Sequence, residues 1–556
     1  MALDTNKPNT LADVLALLNA DACTGPNEHR DQTSAIPRIS EMLHRSPGDL
    51  PAGVTQLRPL ISKLHAVQCG VSSKTLSNIK SNLTSALKSA GVIPAEHEPI
   101  DRTDAWNAFL NSAPSDHQRW GLARFADFCC AHQIAPENVD EAVFERFFKY
   151  LDERLLARSP RDVCKVSVET WNYLIAVNKL PFSRVAWGAK RRFKARRLSD
   201  YPQSLQDEIA SYISRLEHSD LFDEEGPDKP LRPTSIRNIE AHIRQHLDAL
   251  VSDSMPIEDM QSLKDVVTPE TAKRAFNSML RRRGSNAIPP GFANIAATLT
   301  AIARHHLKVP EPEVQQFITI KKRLATNPRG MSTKNKERLG QFEDWQNVIR
   351  VATLAHVLMD RANEDPTSRE SALAAMHAAT LGVLLSCPMR AQNVSSLDLD
   401  RHLRPQGHGA ALRYGIRVEG SEVKNGEPVE VKLNAKMSRL LDRYIVQFRP
   451  MLTEHESTAL FPRRSDGRPR KPSNFSAHLK EVIERETGLV MHMHLFRHFA
   501  AYLYLKERPE NFELVRRLLK HKRLQTTMDF YASLSNQWAH DHYDQVVLSK
   551  IGGSDD

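Results

Sequence analysis

The chain has 556 residues, 40% of them hydrophobic and 26% charged. That is the balance of a globular protein of roughly three or four domains, which excludes a disordered or fibrous chain. Lysine and arginine number 76 against 67 acidic residues, a formal charge of +9, an excess that becomes informative only where it clusters. The six cysteines include no CxxC pair, which argues against a zinc ribbon or a disulfide framework. The N-terminus lacks a basic region followed by a long apolar run, and the most apolar stretch, 374–387, is too short to span a bilayer. A cytoplasmic, reduced protein with no membrane partner is expected.

In chain order, residues 1–100 form an N-terminal region of uncertain role, in which SSKTLSNIKSNLTSALKSAGV (72–92) reads as a capped basic helix. Residues 101–190 read as a helical module. Trp120, Leu122, Phe125 and Phe128 form one apolar face, and a second helix after Pro136 buries Phe144, Phe147, Phe148 and Leu151. A second helical module spans 200–330. Ile236, Ile239, Ile243, Leu247 and Leu250 make a buried stripe, with Arg237 and Arg244, seven apart, on another face. VVTPETAKRAFNSMLRRR echoes IAPENVDEAVFERFFKYL, a hint of related modules. Residues 319–340 read as a basic linker in which Gly, Pro, Asn and Thr interrupt the helical period. From 341 to 545 helices return, joined by strand-like alternation in ALRYGIRVEG and PVEVKLN around KNGE. Residues 546–556 form a tail. The class expected is mainly α, with a mixed α+β C-terminal domain carrying a small antiparallel sheet.

Basic residues cluster in KRRFKARR (190–197), RRR (281–283), KKR (321–323) and RRSDGRPRK (463–471). Four such runs point to a polyanion. The densest chemistry lies in MHMHLFRHFA (491–500). His494 and His498 have the i, i+4 spacing of zinc ligands, but Leu495 stands where a metalloprotease has its glutamate. His494 with Arg497, at i and i+3, suits a phosphodiester instead. The imidazole moves a proton near neutral pH, and the guanidinium fork holds two phosphate oxygens.

The stretch HLFRHFAAYLYLKERPENFELVRRLLKHKRLQTTMDFYASL (494–534) resembles the tyrosine recombinase, or phage-type integrase, family. His494, Arg497 and His498 match its His-x-x-Arg-His helix. LLKH with His521 matches its Leu-Leu-Gly-His turn, and Thr526, Thr527 and Tyr531 match its Thr-Thr pair and nucleophile. Upstream, LSCPMRAQNVSSLDL offers Arg390, the hairpin EVKNGEPVEVKL offers Lys424, and LFPRRSDGRP (460–469) occupies the place of a Leu-Phe-Pro turn. The sequence departs from the family at Pro388, Asn393 and Lys520. Lys520, in the place of glycine, implies a different turn geometry or an added phosphate contact.

The resemblance implies a site-specific recombinase or integrase that integrates or excises a mobile element through a 3′-phosphotyrosyl intermediate, with no metal or cofactor. Tyr531 would be the nucleophile, Arg390 and Arg497 the phosphate clamps, Lys424 the acid, His494 the base and His521 a phosphate ligand. Residues 200–330 would be a core-binding domain. Double-stranded DNA would be contacted by Arg237, Arg244, Lys321, Lys322, Arg323, Lys334 and Lys336. A homotetramer on paired sites, accessory proteins and a nucleoid-associated place in the cytoplasm would follow. The alternatives are a type IB topoisomerase-like enzyme and an inactive DNA-binding accessory protein.

Overall fold

The computed structural model describes residues 8–20, 25–94, 101–187, 195–218, 230–283, 287–326, 330–544 and 547. The side chains of 410, 532–539 and 541–542 are outside this description, as are most of the basic run 190–197 and nearly all of the tail 546–556. The chain divides into two compact units, one of residues 1–189 with 330–556 and one of residues 190–329. It is mainly helical, and its described strands form one three-stranded antiparallel sheet.

Three stretches share one element order. The first has α1 (Leu11–Ala20), α2 (Pro26–Met42), α3 (Val54–Ile61) and α4 (Ser73–Ser89). The second has α5 (Asp104–Asn111), α6 (Asp116–Ala131), α7 (Glu141–Arg154) and α8 (Pro160–Asn178). The third, in the unit 190–329, has α9 (Gln203–Glu217), α10 (Pro233–Ser252), a single turn α11 (Leu263–Val266), α12 (Pro269–Arg283) and α13 (Gly291–Ala301). A π turn at Ile302–His306 prolongs α13, and α14 (Glu311–Leu324) follows.

The likeness extends to hydrogen bonds. After α2, α6 and α10 the backbone turns left-handed at His44, Gln133 and Ser254, with φ of 53°, 57° and 68°. Each of those N–H groups donates three residues back, to Glu41, Cys130 and Val251. The next N–H donates five back, to Ser40, Cys129 and Leu250, the paired bonds of a Schellman cap. Three residues on from each left-handed position a 3₁₀ turn begins, at Pro47, Pro136 and Ile257. A buried apolar residue then closes it: Leu50, Val139 or Met260. The last helix of each module also leads to a left-handed residue, Gly91, Lys179 or Lys308, followed by apolar residues and a proline. The shared turns make three related modules, in a register that sets Pro136 against Pro47 and Ile257, and not against Pro269 as the sequence echo did.

Three expectations change in detail. Trp120 is 72% exposed, because α6 buries the face of Leu122, Phe125, Ala126 and Cys129 instead. Pro136 opens the 3₁₀ turn, and α7 starts at Glu141, where the Asp140 carboxylate accepts the Val143 N–H at 2.9 Å. Much of 319–340 is helical: α14 runs to Leu324, and α15 (Thr333–Gly340) begins at the Ser332 cap and buries Leu339. Between these helices Gly330 takes a positive φ of 94°.

The C-terminal part packs around the antiparallel pair α16 (Trp345–Glu364) and α17 (Arg369–Ser386). Short turns α18 (Ala391–Ser395) and α19 (Leu399–His402) lead into β1 (Leu403–Gln406), β2 (Arg413–Val418) and β3 (Val429–Lys432), in that order across the sheet. Leu403 faces Ile416, which faces Val431, and alternation along β2 buries Tyr414, Ile416 and Val418. The chain continues through α20 (Ala435–Arg443), α21 (Pro472–Thr487), α22 (Leu495–Glu507), α23 (Phe512–Leu519) and α24 (Leu524–Tyr543). Met331 to Tyr531 share one apolar core.

Candidate active site

α17 is apolar all round and ends before Pro388, which disfavours helix in Cys387 and turns the chain out. Extended residues then deliver Arg390 to the start of α18. The Arg390 guanidinium is half-buried, and burial lowers its pKa. Its Nη1 lies 3.4 Å from Asn425 Oδ1. Asn425 follows Lys424 in the β2–β3 connection and donates its amide to the Lys520 carbonyl. One asparagine side chain therefore meets the Arg390 segment, the hairpin and the turn that precedes His521. Lys424 is exposed at that turn, while its rival Lys432 ends β3.

Arg497 sits on α22 and is 5% exposed. It donates Nη1 to the Pro388 carbonyl at 2.7 Å and Nη2 to the Leu519 carbonyl at 2.5 Å. The same side chain thus ties down the main chain just before Arg390 and just before His521. Burial first, and Arg390 beside it second, pull its pKa down to about 10. Arg390, Arg497 and Lys520 line one cleft of about 160 Å³ with Cys387 and Val431. Lys520 holds φ at 52°, the left-handed conformation a glycine would take, so the expected change of turn geometry does not occur.

His494 is the residue before α22 and keeps an exposed edge. Its ring lies 5.2 Å from that of His498, nearly perpendicular to it. His498 is buried, and its Nδ1 is hydrogen-bonded to the Tyr531 hydroxyl at 2.8 Å. Tyr531 is 1% exposed, and burial raises its pKa against the pull of Arg497. Tyr543, the rival nucleophile, is exposed farther along α24. His521 pairs through Nδ1 with the buried Thr527 hydroxyl at 2.9 Å, while Arg516 donates to its carbonyl at 2.8 Å.

All the imidazoles here are held in the neutral form. Desolvation leads, and neighbouring cations add to it. His498 falls to about 3, and His521 and His492 fall to about 4. His494 is lowered by desolvation and then by Arg497 and Arg390. Neutral imidazoles beside guanidinium groups can accept a proton, while the guanidiniums offer donors to an oxyanion.

Of the DNA contacts expected from sequence, Arg237 is exposed on α10, while Arg244 is half-buried and bonds the Ala195 and Arg196 carbonyls at 3.0 Å each. Lys321, Lys322 and Arg323 are exposed in the last turn of α14. Lys334 and Lys336 are exposed on α15, in the other compact unit. Sequence reasoning missed His498 as the partner of the tyrosine, and Asn425 as a bridge. The i, i+4 spacing of His494 and His498 was the available signal for the first, and nothing local marked the second.

Residues 355–537 match the family model described as Phage integrase family. No curated protein sequence matches the chain. Among solved structures, the XerH site-specific recombinase bound to palindromic difH substrate, a post-cleavage complex, is 13% identical with a TM-score of 0.30, covering 62% of this chain and 93% of that one. The XerA recombinase is 14% identical with a TM-score of 0.25, covering 61% and 98%. Among the described residues no helix is long and apolar enough to cross a membrane. The family match therefore covers about a third of the chain, the segment 355–537, which is similar to the Phage integrase family and contains Arg390, Lys424, His494, Arg497, His521 and Tyr531.

Proposed function

We propose that the protein is a site-specific DNA recombinase that breaks and rejoins strands through a 3′-phosphotyrosyl intermediate, integrating or excising a mobile element. The observation that carries the reading is that residues scattered over 390–531 meet through shared partners: Asn425 joins the Arg390, hairpin and His521 segments, and Arg497 joins the first and last.

In this mechanism Arg390 and Arg497 bind the non-bridging oxygens of the scissile phosphate, where charge builds in the transition state. Tyr531 Oη forms a bond to phosphorus as the bond to the 5′-oxygen breaks. The leaving oxygen takes a proton from Lys424. The tyrosine proton passes to the imidazole pair, His498 holding the hydroxyl at rest and the exposed His494 lying beside it. His521, steadied by Thr527, bonds the phosphate. The phosphodiester energy is kept in the adduct, so rejoining to a new strand is isoenergetic. Arg237, Lys321, Lys322, Arg323, Lys334 and Lys336 would hold DNA phosphates, without reading sequence. Assembly on paired sites is a homotetramer.

The test is covalent trapping. The protein is expressed beside its native flanking DNA, lysed in strong denaturant, captured, and the attached DNA sequenced, with Tyr531→Phe in parallel. Reads stacked at one or two positions and absent from the variant are expected. Scattered reads that depend on Tyr531 would indicate a relaxing enzyme, and adducts that persist in Tyr531→Phe would remove the assigned nucleophile.

A further inference from the structure

The three helical modules give the chain an internal comparison. Aligned on Gly91 and Lys179, the buried stripe of α4 (Leu76, Ile79, Leu83, Ala86, Leu87) falls on Cys164, Ser167, Trp171, Leu174 and Ile175 of α8, all buried. In the third module the stripe falls on Phe292, Ile295, Leu299, Ile302 and Ala303, the π turn supplying one extra residue before Lys308. The inward faces are in register, and the outward faces are not. On α4 the outward stripe is Lys74, Ser77, Asn78 and Ser81, all exposed, at the i, i+3, i+4, i+7 spacing of one helix face. The same positions on α8 are Asp162, Lys165, Val166 and Glu169, so the module design does not impose the polar, acid-free stripe. That stripe lies within a longer bias. Residues 50–95 hold five Lys or Arg and not one Asp or Glu, where the chain's average would place five or six.

We propose that α4 is a further DNA-binding helix that reads sequence in DNA beyond that held by the catalytic residues. This rests on the recombinase reading above. A helix of this diameter fits the major groove. Lys74 binds phosphate, and Ser77, Asn78 and Ser81 present short donors and acceptors to base edges, with no carboxylate to repel the backbone. Module and catalytic part belong to one compact unit. Gln68 donates to the Gly488 carbonyl at 3.3 Å, at the end of α21, and His65 lies against the same glycine. The second contact is therefore held at a set spacing from the first.

The experiment uses the full chain in a Tyr531→Phe background, footprinted on a long duplex centred on the site found by trapping. Lys74→Glu with Ser81→Glu is compared with the parent, after both show the same thermal midpoint. A protected tract outside the cleavage site is expected from the parent and lost in the double variant. Affinity for the long duplex should fall tenfold or more, and the plot of log affinity against log salt should flatten by about one. A photoreactive side chain placed at Asn78 should cross-link to that outer tract. An unchanged footprint and no cross-link overturn the proposal, while the trapped adduct leaves the recombinase reading standing. An unchanged footprint with broken self-association also overturns it, by making the face a protein interface. A wild-type protein that neither traps nor protects DNA removes both readings.

Discussion

Replacing Arg497 by lysine isolates what its two carbonyl bonds do. The guanidinium spans the Pro388 and Leu519 carbonyls, 2.7 and 2.5 Å from its two terminal nitrogens. Both carbonyls sit in the core of the domain, and the side chain is 5% exposed. A hydrogen bond from a charged donor stabilises by about 1.5–3 kcal/mol. A single ammonium cannot reach both acceptors, so Arg497→Lys loses one bond and leaves one buried carbonyl without a partner. The expected loss is about 1.5–3 kcal/mol, felt first where the bond is lost. Hydrogen exchange at the amides of 387–390 and 519–521 is the assay, run beside a strand-cleavage measurement. Protection should fall at one or both segments, and cleavage should fall by more than the removal of one phosphate contact implies, because the segment that loses its bond displaces Arg390 or His521 as well. A cycle with Arg390→Lys separates these effects: coupling through the Pro388 segment makes the double variant non-additive. Unchanged protection at both segments with additive losses of cleavage would refute the bridging role.

Three further outcomes are expected. His498 has a folded pKa of about 3 against 6.5 when free, so its neutral form supports the fold. That stability is complete above pH 6.5 and is lost as pH falls toward 3. About 2 kcal/mol of it is lost by pH 5. Acid unfolding of His498→Gln should be shallower than wild type over that window, and an identical profile would contradict the assignment. Lys520→Gly relieves a left-handed backbone at φ 52°. It should stabilise by up to about 1 kcal/mol in thermal or urea unfolding, whereas a lower midpoint would mean the lysine side chain holds the turn. Gly488→Ala should destabilise by about 1–3 kcal/mol, since φ is 73° and the added Cβ would stand 2.8 Å from the His65 ring. Limited proteolysis near Gln68 should speed up, and unchanged cleavage rates would show that module and α21 do not press on one another.

Local pattern made much of this legible. The capped helix at 72–92, the aromatic stripe of α7, the strands around KNGE and the His-Arg helix all follow from period and capping chemistry. What escaped depends on distance or on backbone alone. Trp120 is one step off the buried face of α6, a difference that spacing within one helix does not resolve. The three-fold repeat hides because His44, Gln133 and Ser254, which set its turns, share a φ and no side chain. None is the glycine that usually marks such a cap. The bond between His498 and Tyr531 joins residues 33 apart, and that between Arg497 and Pro388 joins residues 109 apart. No periodicity encodes either.

The electrostatics of the site give these distant bonds a common logic. Burial first, then Arg497 and Arg390, lower the pKa of His494 and His521, and burial with Arg390 lowers that of Arg497 itself. Repulsion among cations in a poorly solvated cleft costs free energy until an anion enters. Under the proposed function, a phosphodiester between the two guanidiniums would supply that anion. Its charge would offset the arginines, raise the pKa of His494 and His521, and so make an imidazole better able to hold a proton once the phosphate is in place. Tyr531 responds in the opposite sense: Arg497 is the cation that lowers its pKa, and a bound phosphate screens that pull. The anion therefore improves the base while making the hydroxyl harder to ionise. In the proposed mechanism the tyrosine would then lose its proton during attack, to an acceptor already hydrogen-bonded to it, and His498 Nδ1 at 2.8 Å, in the tautomer that leaves it unprotonated, would fill that place.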